Sequence, residues 1–153
     1  MKTLWLMAVL AVTLALPAWG FLGDKEPDLV KRFGKPISRT GNTLAWNQDG
    51  LVIRATLDAG GKCIALRYSA NNVELALREA RLQEGMKRNA QTSEWLGQKE
   101  DDPHAPANAP PRKYLRKDGK AIAIRTAPAI IDILDLEAYD ETGQLRTSPR
   151  PRE

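Results

Sequence analysis

Residues 43–68 read T-L-A-W-N-Q-D-G-L-V-I-R-A-T-L-D-A-G-G-K-C-I-A-L-R-Y. Three runs rich in β-branched and aromatic residues are separated by two turn signals. Asp49-Gly50 supplies the positive φ angles of a tight hairpin, and Asp58-Ala59-Gly60-Gly61-Lys62 makes a looser one. Alternation assigns Leu44, Trp46, Leu51, Ile53, Ala55, Leu57, Ile64, Leu66 and Tyr68 to one face. That face is the expected core. The opposite set carries Asn47, Arg54, Thr56 and Arg67 together with Val52, Cys63 and Ala65, as expected of an antiparallel sheet covered on one side.

Upstream of this stretch, residues 24–33 predict a short helix. Asp24 or Glu26 can accept from its free amides, Pro27 suits its first turn, and Leu29, Val30 and Phe33 form one stripe. Gly34 ends it and Pro36 prevents continuation. The pattern Val30-x-x-x-Gly34-x-Pro36, followed by strands with Trp46, resembles the V-x-x-x-G-x-P signature of small envelope proteins of the SmpA/OmlA and β-lactamase-inhibitor-protein-like type. The resemblance covers residues 26–68. It implies a small α+β envelope module that binds other proteins through its sheet and is not an enzyme. The chain departs from that pattern in lacking the lipid-acceptor cysteine of the lipoprotein branch and the G-M-T type helix start before the valine.

Downstream, Asn71 with Glu74 looks like a capping pair, and residues 72–87 read as the main helix. Val73, Leu75, Ala76, Leu77, Ala80, Leu82 and Met86 give it a broad apolar side to cover the core face. Trp95 is expected to plug one end of the core. Residues 97–113 are polar and proline-rich and read as a loop. A second hairpin follows around Asp118-Gly119, with Leu115, Ile122 and Ile124 expected toward the core and Tyr114, Arg116 and Arg125 outward. Residues 130–139 read as strand or helix, the β-branched I-I-D-I favouring strand. The expected fold is therefore α+β: a single antiparallel sheet of five or six strands with two helices packed on one face.

Residues 1–20 have one cation, Lys2, an apolar run to Leu16, then Pro17 and small residues at Ala18 and Gly20. This is the layout of a secretory signal peptide, with an uncleaved anchor as the competing reading. The run falls short of the roughly 20 apolar residues of a comfortable span, so no stable membrane insertion is expected after cleavage. The expected organisation is a signal at 1–20, one α+β domain at 21–143 and a disordered basic tail at 144–153, in an exported, periplasmic or secreted product.

The whole chain has 23 Lys+Arg against 19 Asp+Glu. Cleavage would remove Lys2 and no acid, leaving +3, with Arg146, Arg150 and Arg152 near the end. The folded part is thus close to neutral, and export argues against a nucleic-acid partner. Cys63 is the sole cysteine, which precludes an intramolecular disulfide. His104, the sole histidine, sits in the proline-rich loop beside Glu100, Asp101 and Asp102, where no rigid frame for a metal or a catalytic triad is expected. No cofactor, metal or catalytic set is assigned.

The sharpest candidate is the outer sheet face. If both hairpins belong to one sheet, alternation collects Arg54, Thr56, Arg67, Tyr114, Arg116 and Arg125 there, a composition suited to an acidic protein or an anionic envelope component. The competing structural reading pairs these arginines across strands with Asp135 and Glu137. The alternative functional reading is a hydrolase with a carboxylate site near Asp132 and Asp135 under the proline-rich loop. A third is an apolar ligand held between sheet and helix.

Overall fold

The structure, a computed structural model, describes residues 21–90, 93–98 and 112–148. The signal at 1–20, the His104 cluster and the last five residues lie outside this set. The order is α1 (Glu26–Phe33), β1 (Ser38–Thr40), β2 (Thr43–Gln48), β3 (Leu51–Leu57), β4 (Cys63–Ser69), α2 (Leu75–Arg88), β5 (Trp95–Gln98), β6 (Lys113–Arg116), β7 (Ala121–Ala127) and β8 (Ile130–Asp135). Residues 130–135 are thus strand. No helix among the described residues is long and apolar enough to cross a membrane.

All strands form one antiparallel sheet in the order β1-β2-β3-β4-β8-β7-β6-β5. Each half is a helix followed by a four-strand meander, and the two halves meet where β4 pairs with β8. The order is therefore symmetric about that seam. The sheet has eight strands, which corrects the expected five or six. The two additions are the edge strands β1 and β5, only three and four residues long. Every residue of β1 is exposed, and β5 is exposed from Leu96 to Gln98. Neither buries one face, so neither carries the alternation that marks a strand in sequence.

The residues 43–68 fold as three strands. Asp49 (φ 53°) and Gly50 (φ 83°) form the tight turn, and an added Cβ at Gly50 would lie 2.9 Å from the Asn72 carbonyl oxygen. Leu44, Trp46, Ile53, Ala55, Leu66 and Tyr68 are buried on the core face. A bulge between Thr56 and Leu57 pairs Leu57 with Cys63. It turns Cys63 into the core and leaves Ile64 half-buried, the reverse of strict alternation.

Both helices cover this face. From α1, Leu29 is buried and Phe33 stacks obliquely between Phe21 and Trp46 at 4.8 and 5.2 Å. Gly34 N–H donates to Val30 O, and Gly34 O accepts from Trp46 Nε1 at 2.8 Å. The glycine and tryptophan of the sequence pattern thus cap α1 and fasten it to β2. From α2, Leu82, Gly85 and Met86 reach the core, with Gly85 against the Tyr68 ring. This helix begins at Leu75, later than expected, and Glu74 makes no side-chain cap. Arg78 instead donates to the carbonyls of Val73 and Asn71. Leu75 and Leu77 are 77% and 48% exposed, so the expected apolar side is only partly used.

Trp95 lies on the edge strand and donates from Nε1 to Met86 O at 2.7 Å, which ties β5 to the end of α2. The folded body also runs beyond residue 143. Tyr139 bridges Leu145, and Arg146 Nε donates to the carbonyls of Leu136 and Tyr139.

Candidate functional site on the outer sheet face

The β4·β8 register decides which side chains share the outer face. Arg54 lies directly opposite Arg67, and Arg67 opposite Asp132. Asp132 pairs in turn with Ile124, and Ile124 with Lys113. One residue-row therefore runs Arg54, Arg67, Asp132, Ile124, Lys113. The neighbouring row runs Thr43, Thr56, Ala65, Leu134, Ile122, Leu115, Leu96. It changes from hydroxyl to aliphatic across the seam.

Leu115, Ile122 and Ile124 thus face away from the helices, opposite to expectation. Ala121 and Ala123 take the helix side instead. In A-I-A-I both faces are apolar, and alternation fixes which residues share a face without fixing which face meets the helices. The isoleucines are covered from the other side. Ile122, Leu134 and Leu136 form a second buried cluster with Ala65, Leu115, Ile124 and Tyr139 packed on it. An added Cβ at Gly143 would lie 3.2 Å from Ile124 Cδ1, which places the chain near Gly143 directly over this cluster.

The same frame divides the six candidate residues. Arg54, Thr56 and Arg67 share the outer face. Tyr114, Arg116 and Arg125 lie on the helix side. Arg116 is 3% exposed and donates to Asn89 O and to Asp118. Arg125 grips both carboxylate oxygens of Glu79 on α2 at 2.8 Å and also donates to Pro128 O. Tyr114 is buried beside α2 and lines a groove of 690 Å³ with Met86, Ala90 and Trp95. These three side chains hold the second meander to the helix layer.

On the outer face, Arg67 makes a two-point contact with Asp132, Nε to Oδ1 at 2.6 Å and Nη2 to Oδ2 at 2.9 Å. Hydrogen bonding to Asp132 holds the Arg67 pKa above its ordinary value. Thr126 Oγ1 also donates to Asp132, at 3.2 Å. Asp135 and Glu137 do not meet the arginines. Lys62 Nζ lies 3.5 Å from Asp135 and 3.9 Å from Glu137. Arg54 is exposed, and among the described residues it has no hydrogen bond or ion pair. Two guanidinium groups therefore stand opposite each other on β3 and β4, with one carboxylate, Asp132, across the seam from Arg67. Like charges directly opposite are unfavourable, so this arrangement leaves an unmet demand for negative charge.

The arginines open onto a cleft of 490 Å³. Its polar end has Arg54, Arg67, Thr43 and Thr56, and across the seam it is lined by Asp132 with Thr126 and by the apolar Ile124, Leu134, Tyr139 and Gly143. Such a cleft suits an anionic group carried on an apolar stem. The sequence signal for it was the Arg54/Arg67 alternation. The contributions of Thr43, Thr126 and Tyr139 depend on strand pairing and on the returning C-terminal chain, which alternation alone does not reveal.

The only cysteine is fully buried, and burial pushes its thiol up to about 12. A thiol held protonated to that pH is a poor nucleophile. Asp132 and Asp135 are three residues apart on one strand, so they project to opposite faces and do not form a pair. No protein-family model matches the chain, and no curated protein or solved structure matches it.

Proposed function

We propose that this chain is an exported, non-enzymatic binding protein whose outer sheet face engages an acidic segment of a partner protein. The observation that carries the reading is Arg54, exposed and unpartnered among the described residues, set across from Arg67 at the polar end of a cleft. An incoming carboxylate there relieves the Arg54–Arg67 repulsion and gains charge-assisted hydrogen bonds. Thr43 and Thr56, whose hydroxyls bond each other at 3.3 Å, keep one hydroxyl free to donate beside Arg54. The resemblance of residues 26–68 to small envelope proteins is compatible with this role.

The hydrolase alternative draws no support from the opposed directions of Asp132 and Asp135. Isothermal titration with a hexaglutamate peptide tests the proposal. Binding by the natural chain and by Arg125→Ser, lost in Arg54→Ser/Arg67→Ser, is the expected result. Equal binding by the double variant, or none by the natural chain, overturns it.

A further inference from the structure

We infer that the partner segment binds in extended form, with a carboxylate side chain at the Arg54 end and an aliphatic side chain about four residues away. This rests on the binding role proposed above and specifies its ligand. A further cleft of 560 Å³ adjoins the first, since Thr56 and Tyr139 line both. Its apolar lining includes Leu57, Ile64, Ala138 and Leu145. Leu145 is 64% exposed, a large aliphatic side chain without cover among the described residues.

The two clefts follow β3 from Arg54 past Thr56 to Asp58. Alternate residues of a strand are spaced by about 6.7 Å, so Arg54 and Asp58 are separated by about 13 Å along the strand direction. An extended peptide has the same repeat and can present same-face side chains at i, i+2 and i+4. Charge sets its direction. Arg54 and Arg67, with Asp132 as the one acid, line the first cleft, whereas Asp58 and Glu137, with Arg146 as the one cation, line the second, so the Arg54 end is the more positive and the far end disfavours an acid. A chain with a carboxylate at i and a leucine-like residue at i+4 therefore fits in one orientation.

Fluorescence anisotropy with a labelled, end-blocked peptide E-S-T-S-L tests this. It is expected to bind at least fivefold tighter than S-S-T-S-L and E-S-T-S-S. Arg54→Ser should abolish the preference for the acid, and Leu145→Ser the preference for the leucine, with the urea midpoint unchanged in each variant. Binding that depends on the acid but ignores the leucine overturns this inference and leaves the outer-face anion role standing. Failure of both these peptides and hexaglutamate to bind removes both. Sedimentation with phosphatidylglycerol vesicles without peptide binding would assign the face to lipid and overturn the inference. Peptide binding that is absent in the natural chain and appears only after deletion of residues 149–153 would make the chain's own end the occupant, with the same consequence.

Discussion

Replacing Asp132 by Asn should weaken the fold and strengthen anion binding. The carboxylate accepts two hydrogen bonds from Arg67 and one from Thr126, with its side chain 12% exposed and that of Arg67 50% exposed. A pair open to water on its cationic side is screened, so the loss in stability is about 1–2 kcal/mol, between the values for exposed ion pairs and for charge-assisted hydrogen bonds. The amide keeps the shape and still offers one acceptor oxygen. For an anion about 5 Å away in a solvated cleft, removal of the Asp132 charge relieves about 1 kcal/mol of repulsion, or roughly a fivefold gain in affinity. Urea unfolding followed by tryptophan fluorescence gives the first quantity, and titration with hexaglutamate the second. A fall in both would refute the reasoning, because Asp132 would then be part of the recognition surface and not a competitor for Arg67.

Burial raises the pKa of Cys63 from 9.0 to about 12 and also raises that of Tyr68. Groups that hold their protons longer in the folded state stabilise it fully below their unfolded pKa. That stability declines as pH climbs through about 9 for Cys63 and about 10 for Tyr68, each approaching roughly 1.4 kcal/mol per pH unit. Urea midpoints measured between about pH 9 and 10 should fall, and Cys63→Ala should flatten the fall; an unchanged slope in that variant would contradict the assignment. At Gly85, an added Cβ would meet the Tyr68 ring at 3.0–3.1 Å, while Asn89 Nδ2 holds the Tyr68 hydroxyl at 2.9 Å. Gly85→Ala gains about 1 kcal/mol of helix propensity but overpacks by about 1–3 kcal/mol. A net loss is expected by urea unfolding, reduced when Tyr68→Phe frees the ring; stabilisation would mean that α2 shifts readily. Trp46→Phe removes the bond to Gly34 O as well as indole packing and should cost about 2–3 kcal/mol. A smaller change than 1 kcal/mol by urea unfolding would show that α1 is not fastened there.

The central hairpins were legible because each signal there is local. Asp49-Gly50 fixes the first turn, and alternation from Leu51 to Leu57 sorts β3 onto two faces. The second meander was legible only in part. Its hairpin is marked by Asp118-Gly119, but Ala121 and Ala123 face the helices where Ile122 and Ile124 seemed the stronger core residues. Large neighbours allow this, since Tyr114 and Arg116 on β6 fill the space beside the alanines. That inversion moved three of the six candidate residues to the helix side. Ser38, Arg39 and Thr40 are polar and exposed and give no strand signal, although their partners in β2 do. The bulge after Thr56 exchanged Cys63 and Ile64 between environments. The inverted second meander depends on pairing between segments distant in the chain, and the edge strand and the bulge are local features without an alternation signal; the Arg54/Arg67 alternation survived because both residues lie beyond the bulge, away from the turn, in one local hairpin.

The most direct test of outer-face binding is a backbone amide NMR titration of the natural chain with hexaglutamate at low salt. Saturable shifts are expected at Arg54, Thr56, Arg67 and Thr126, with Tyr114, Arg116 and Arg125 unmoved. Shifts confined to the helix side, or no saturable shifts at all, would contradict outer-face binding.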